Sequence, residues 1–112
     1  GVDLSRVKTV SGFFDVSLSH DIVTDDMGDV LVNPASLIYI DVDLEESCYP
    51  IFEFLTNKIV DGSIIIIDDF YRHRGIPKYG IQKAFFSWLE KNNIRIVPLH
   101  NIRRIAFILY RV

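Results

Sequence analysis

The sequence predicts an α/β domain, with a mostly parallel β-sheet and helices on both of its faces. Residues 63–70 read Ser-Ile-Ile-Ile-Ile-Asp-Asp-Phe. Four consecutive isoleucines do not alternate, so both sides of this segment require burial, which is typical of a central strand in a helix-covered parallel sheet. A second apolar run, residues 37–40, comes earlier, and a helical pattern separates the two runs. Such strand–helix–strand crossovers imply parallel neighbouring strands.

Size and composition exclude several classes of protein. A chain of 112 residues fits one domain, and 49% hydrophobic residues exclude a disordered chain. The net charge of −3 predicts no general attraction to nucleic acid or to anionic membranes. No apolar run approaches the roughly 18–20 residues that span a bilayer, and no signal-peptide pattern is visible. The single cysteine, Cys48, excludes an intrachain disulfide framework and predicts a buried, inert thiol in a reducing, cytoplasmic compartment.

The first half of the chain predicts two strands and one helix. Residues 6–14 alternate in polarity and predict a short strand, whereas residues 15–34 predict mostly loop with a short helix capped by Ser19 or Asp21. Residues 35–40 are predicted to form the first strongly buried strand. The following helix is expected to begin at an N-cap on Ser47 and to run to about Lys58, with Pro50 in its first turn.

The second half adds the isoleucine strand, a helix and a hairpin. A polar, basic loop over residues 71–79 precedes a helix predicted from Gly80 to Asn92, because its apolar residues recur at helical spacing. Residues 94–99 and 105–110 predict strands. The segment between them is too short for a helical crossover, so these two strands should be antiparallel. About five strands are expected in total.

Acidic side chains follow both buried strands at the point where each strand ends. Asp41 and Asp43 follow the first strand, and Asp68 and Asp69 follow the isoleucine strand. Ligands bind at the carboxyl ends of strands in open α/β sheets, and converging carboxylates are best neutralised by a hard cation such as Mg²⁺. Two alternatives stay open at this point: solvated acids in a non-catalytic interaction or dimerisation module, and a Mg²⁺-dependent aspartyl phosphotransferase with an Asp-x-Asp motif.

The remaining polar residues do not assign a general base. The basic loop with Arg72, His73, Arg74 and Lys78 either binds an anionic substrate or is solvated surface. The histidines at positions 20, 73 and 100 lack the spacing of metal ligands or of a serine triad. No glycine-rich phosphate-binding loop of either common type is present.

Several motifs together resemble the second half of a class I S-adenosylmethionine-dependent methyltransferase. The similarity is strongest to the macrocin O-methyltransferase-like family, which methylates sugar hydroxyls of natural products. It extends over nearly the whole chain, and the spacing of 27 residues between Asp41 and Asp68 is the one that this family's metal site requires. The motifs are Gly12-Phe13-Phe14 with Ser17-Leu18, Leu37 to Leu44 with Glu46-Ser47, Asp61-Gly62-Ser63, Ile67-Asp68-Asp69-Phe70, Gly80, Lys83-Ala84-Phe85 and Trp88-Leu89.

The resemblance implies a metal site and a reaction. Asp41, Asp68 and Asp69 would hold Mg²⁺, which would orient two hydroxyls of a sugar or other small-molecule acceptor and lower the pKa of the hydroxyl that attacks the methyl group of S-adenosylmethionine. The catechol O-methyltransferases carry a lysine three residues after the first aspartate. Leu44 stands at that position here and argues against a lysine base. Glu45 stands where members of the family often have tyrosine.

The resemblance also implies that the cofactor-binding half is missing. The family binds its cofactor mainly through two strands with a glycine-rich turn and an acid for the ribose, and neither feature occurs here. Residues 1–112 are therefore expected to be a single domain that corresponds to the C-terminal half of a methyltransferase domain, with a truncated Rossmann-like sheet and little or no activity alone. Its catalytic and cofactor-binding residues stay unassigned. The vacant edge of the 35–40 strand is expected to be filled by residues 6–14 or by a second chain in a homodimer.

Overall fold

The computed structural model describes residues 3–18, 23–31, 33–71, 76–99 and 105–112. This part of the chain forms one β-sheet and two helices of three turns. A 3₁₀ turn spans Leu4–Arg6, and the other elements are α1 Phe14–Ser17, β1 Ala35–Ile40, α2 Glu45–Leu55, β2 Ile59–Ile67, α3 Gly80–Lys91, β3 Ile94–Leu99 and β4 Ile105–Arg111. None of the helices in these ranges is long and apolar enough to cross a membrane.

The sheet is mixed, with the strand order β1-β2-β4-β3. Strands β1 and β2 are parallel neighbours, as the crossover predicted, and β3 and β4 form the predicted antiparallel hairpin. Strand β4 returns to lie between β2 and β3, and it is antiparallel to both. The α/β class is thus confirmed. The prediction of a mostly parallel sheet of about five strands is not confirmed. The described residues form four strands, and only one of the three pairs of neighbouring strands is parallel.

Alternate residues of the strands build the core on one face of the sheet. The register pairs Ile38 with Ile65 and Ile65 with Phe107, and all three are buried. Both long helices cover this face. Phe85 of α3 stacks on Phe107 with ring centroids 5.2 Å apart, and Phe52 of α2 stacks on Trp88 of α3 at 5.1 Å. The aromatic contacts therefore join the two helices to each other and to the same side of the sheet.

The prediction of helices on both faces is wrong for the described residues. Crossovers between parallel strands are right-handed, and the steps from β1 to β2 and from β2 to β3 run in the same direction across the sheet. Two such steps place α2 and α3 on the same face. The other face, here called the open face, consists of two rows that cross all four strands: Leu37, Ile64, Ile108 and Val97, and then Tyr39, Ile66, Ala106 and Leu99.

The prediction of a strand over residues 6–14 is also wrong. Residues 7–13 have no regular structure and lead into α1. The hydroxyls of Thr9 and Ser11 donate to the Asp26 carboxylate at 2.8 and 2.7 Å, and the Asp26 amide donates to the Thr9 carbonyl. Local side-chain bonds of this kind compete with strand pairing. The segment is held against residues 24–30, so it does not add a strand beside β1. Ser19 and Asp21 lie outside the described residues.

The helix boundaries differ from the prediction mainly in α2. This helix begins at Glu45, two residues before the predicted N-cap, and its own N-cap residue Leu44 makes no side-chain capping bond. It ends at Leu55, and β2 already begins at Ile59. The observed α3 matches its prediction to within one residue.

Candidate functional site

The two acid pairs lie at the same edge of the sheet. The Asp68 amide donates to the Ile40 carbonyl at 2.9 Å, which extends the β1–β2 pairing one residue beyond β2. Asp41 and Asp68 therefore each follow one of two hydrogen-bonded parallel strands. Asp41, Asp43 and Asp69 are exposed, whereas Asp68 is half-buried. The carboxyl edge of this parallel pair is the position at which α/β sheets bind ligands.

The Asp68 carboxylate has a fixed orientation. Its Oδ1 accepts a hydrogen bond from the Asp69 amide at 3.0 Å, and its Oδ2 accepts one from the Tyr39 hydroxyl at 3.1 Å. Asp69 has a φ of +54°, a left-handed conformation that aspartate tolerates better than most residues. Since Tyr39 belongs to the open face, the Asp68 carboxylate lies at the corner where that face meets the carboxyl edge.

The three predicted metal ligands do not form a ready-made metal site. Asp41, Asp68 and Asp69 all belong to the described part of the chain. Within that part, no group of three or more His, Cys, Asp or Glu side chains has an arrangement that could hold a metal ion. The assignment of Mg²⁺ to these aspartates therefore stays a prediction.

A cleft of about 350 Å³ lies beside β1 and next to Asp41. Apolar side chains from three elements line most of it, including Phe14 of α1, Ile38 of β1 and Ile51 of α2. Asp41 is the one charged side chain among its described lining residues. An apolar cleft with few polar groups is the usual form of a small-molecule site. This cleft can bind the apolar part of a ligand and place a hydroxyl near the Asp41 carboxylate.

Glu45 connects the two loops that carry the acids. Its Oε1 accepts a hydrogen bond from the Gly80 amide at 2.9 Å, at the first residue of α3. Its Oε2 accepts a bond from the Tyr49 hydroxyl at 3.1 Å and lies 3.6 Å from Lys83 Nζ. Because Tyr79, the N-cap residue of α3, makes no side-chain capping bond, Glu45 supplies both a cap and a negative charge to this helix end. The ends of the β1–α2 and β2–α3 loops are thus held together.

Two side chains close to Glu45 have raised pKa values. Burial, together with the smaller effect of the negative charges of Glu45 and Glu46, raises the pKa of the Cys48 thiol to about 11. Burial also raises the pKa of Tyr49, and its hydrogen bond to Glu45 adds to that effect. Cys48 is fully buried, so the predicted buried thiol is confirmed, and it stays protonated at neutral pH. It is therefore poorly suited to nucleophilic chemistry.

The structural roles of Tyr39, Glu45 and Gln82 were missed by the sequence analysis. Tyr39 precedes Asp41 by two residues and so shares its side of the strand, which is a usable signal in retrospect. Gln82 is buried and donates to the Phe70 carbonyl at 2.9 Å, which fixes the turn that follows β2. Only the tertiary structure reveals this contact, because the two residues belong to different elements.

The predicted basic loop is described only in part, and the three histidines lie outside the described residues. Arg72, His73 and Arg74 lie outside the described residues, as do His20 and His100. Lys78 is described and exposed.

Comparison with known proteins adds no relative. No protein-family model matches the chain, and no curated protein matches its sequence.

Proposed function

We propose that this chain forms the metal- and acceptor-binding half of an S-adenosylmethionine-dependent O-methyltransferase that acts on a sugar or small-molecule hydroxyl. The observation that carries the proposal is the delivery of Asp41 and Asp68 to one edge by two hydrogen-bonded parallel strands. The adjacent cleft gives an acceptor a place beside Asp41. Parallel strands followed by an antiparallel hairpin also agree with the truncated Rossmann-like methyltransferase sheet that the resemblance implies.

The absence of a three-carboxylate group among the described residues does not exclude Mg²⁺. This ion usually binds one or two protein carboxylates and completes its octahedron with water or substrate oxygens. Asp68, which Tyr39 already orients, is the best-placed ligand, and Asp41 or Asp69 would have to turn toward it. A bound Mg²⁺ would act as a Lewis acid toward an acceptor hydroxyl. In the proposal, binding of S-adenosylmethionine belongs to a part of the enzyme that this chain does not contain.

The second candidate function is a non-catalytic interaction module. The open face favours it, because Leu37 and Val97 expose 64% and 46% of their surface on a side of the sheet that no described helix covers. A module of this kind has no reason to bind a divalent cation at the carboxyl edge. Cation binding therefore separates the two functions.

Calorimetric titration of Mn²⁺ and of Mg²⁺ into the chain tests the proposal. We expect saturable binding that Asp68→Asn weakens at least tenfold. Glu90→Gln should leave binding unchanged, because Glu90 is exposed near the far end of α3. No cation binding, or binding that Asp68→Asn leaves intact, would refute the metal half of the proposal.

Two further titrations address the cofactor and the phosphotransferase alternative. S-adenosylhomocysteine should not bind to this chain alone, and saturable binding would mean that the described domain already contains a cofactor pocket. Beryllofluoride binding that depends on Asp41 or Asp43 would instead support an aspartyl phosphotransferase.

A further inference from the structure

The open face is an apolar surface that spans the whole sheet. In its first row, Leu37 pairs with Ile64, Ile64 with Ile108, and Ile108 with Val97. The second row has Tyr39, Ile66, Ala106 and Leu99 in the same order. Tyr110 and Arg95 form a further pair beside the first row. Eight neighbouring positions therefore carry no charge.

This surface resembles a core face more than a solvated one. Leu37, Tyr39 and Leu99 expose 64%, 48% and 37% of their surface. On the other face of the sheet, Ile38, Ile65 and Phe107 are buried beneath α2 and α3. Soluble proteins rarely leave a continuous apolar patch of several hundred Å² in water unless it binds a partner. The composition of isoleucine, valine, leucine and alanine is that of a layer packed against another layer.

The charges at the corners of the open face indicate which partner packs against it. Arg95 lies at the amino-terminal end of β3, on one corner of the open face, and is exposed. The Asp68 carboxylate, held by Tyr39, lies at the diagonally opposite corner, at the carboxyl ends of β1 and β2. Two copies can be related by a two-fold axis that runs along the other diagonal of the open face. This axis places Arg95 of each copy opposite Asp68 of the other copy, so that two such contacts form. Such an axis makes the two sheets cross at close to 90°, which is one of the two common angles for packed sheets.

We propose that the open face binds the open face of a second copy of this chain, as an orthogonal pair of sheets. Its two apolar rows form the centre of the contact. The Arg95 and Asp68 charges lie at its rim, where they set the orientation of the two copies more than the affinity. This inference does not rest on the methyltransferase proposal.

The size of the face predicts a weak dimer. Four strands about 4.8 Å apart and five residues at about 3.3 Å each give a surface of roughly 20 by 17 Å. Two such faces bury roughly 700 Å² in total, which is below the roughly 1,000 Å² of a stable specific interface and in the range of weak, transient contacts. We therefore expect a dissociation constant on the order of 10 μM or weaker.

Sedimentation velocity between about 2 and 200 μM, together with chain variants, tests this proposal. The wild-type chain should change from monomer to dimer over this range, and Val97→Lys in the first apolar row of the face should raise the dissociation constant at least tenfold. Met27→Lys is the matched control, since Met27 is 87% exposed in a turn outside the four strands of the open face, and this variant should dimerise normally. Both positions are exposed, and circular dichroism verifies that each variant is folded.

The charge pair tests the orientation separately. Arg95→Glu should weaken the dimer severalfold, and adding Asp68→Arg to it should restore most of the loss. A chain that stays monomeric at every concentration would overturn the proposal. So would a dimer that tolerates Val97→Lys, because its interface would lie elsewhere, and a charge reversal without restoration would overturn the orthogonal arrangement.

Discussion

Removal of the Glu45 carboxylate should loosen both the fold and the candidate site. This side chain accepts bonds from the Gly80 amide and the Tyr49 hydroxyl, and it is 27% exposed. Loss of a helix N-cap typically costs about 1 kcal/mol, and a charge-assisted hydrogen bond contributes about 1.5–3 kcal/mol before solvent screening is considered. Because Glu45 is partly exposed, we expect Glu45→Ala to lower the free energy of unfolding by roughly 1–2 kcal/mol.

Urea unfolding monitored by fluorescence of the single tryptophan, Trp88, measures this change. Trp88 is 5% exposed, so its emission reports unfolding directly. The melting temperature should fall by about 4–8 °C. Lys83→Ala should lower the free energy of unfolding much less than Glu45→Ala, since the ion pair of Lys83 with Glu45 at 3.6 Å is half-exposed. The loss for Glu45→Gln should lie between those of Lys83→Ala and Glu45→Ala, because the amide oxygen can still accept one hydrogen bond. If Glu45→Ala equals the wild type, or if Lys83→Ala costs as much, Glu45 does not hold the two helix ends together.

Three other predictions concern the core beneath the site. Burial raises the pKa of Cys48 in the folded chain to about 11, above the roughly 8.5 of an unfolded thiol. The protonated thiol therefore contributes fully to stability below about pH 8.5, and this contribution is lost as the pH rises toward 11. The wild type should therefore lose up to about 3 kcal/mol more than Cys48→Ala in urea unfolding between pH 7 and 11, and equal pH dependence would contradict the shift. Phe85→Ala should cost about 3–5 kcal/mol, since this ring is fully buried among other aromatic rings. Its neighbour Phe86 is 38% exposed, so Phe86→Ala should cost less than half as much, and equal losses would refute the packing described here. Thr56→Val leaves the buried Trp88 indole N–H without the hydroxyl that it donates to at 2.9 Å, and should cost about 1–2 kcal/mol in thermal unfolding, whereas Thr56→Ser should retain the bond.

The sequence was sufficient for elements whose patterns are long and bounded. The apolar period of α3 and the four isoleucines of β2 predicted a helix and a strand that the structure contains, and the short 100–104 connection required an antiparallel hairpin. The parallel pairing of β1 with β2 followed from the crossover between them. Right-handed crossovers place both helices on one face only when both steps run in the same direction across the sheet, and the sequence does not give that direction. The apolar run of β2 was therefore taken to mean that this chain covers both of its faces.

The failures have local physical causes. The alternation in residues 6–14 is short, and the hydroxyls of Thr9 and Ser11 find a partner in Asp26, which is distant in sequence. The start of α2 was placed at Ser47 because serine is a good N-cap, whereas Glu45 enters the helix and caps α3 instead. The position of β4 between β2 and β3 could not be predicted either, because a hairpin can fold back to either side.

Only part of the candidate site could be predicted from the sequence. Spacing and strand ends located Asp41 and Asp68 at one edge, but spacing carries no information on side-chain orientation. The bond from Tyr39 to Asp68 and the cleft beside Asp41 depend on how β1, α1 and α2 pack, and only the structure provides that.

An NMR titration of Mg²⁺ into the ¹⁵N-labelled chain tests the central claim most directly, because it shows where on the molecule a cation binds. We predict that the largest amide shifts fall in residues 41–44 and 68–71, at the carboxyl ends of β1 and β2, and that they saturate together. Shifts centred on the separate acidic loop at residues 25–29, or no saturable shifts at all, would contradict a metal- and acceptor-binding site at this edge of the sheet.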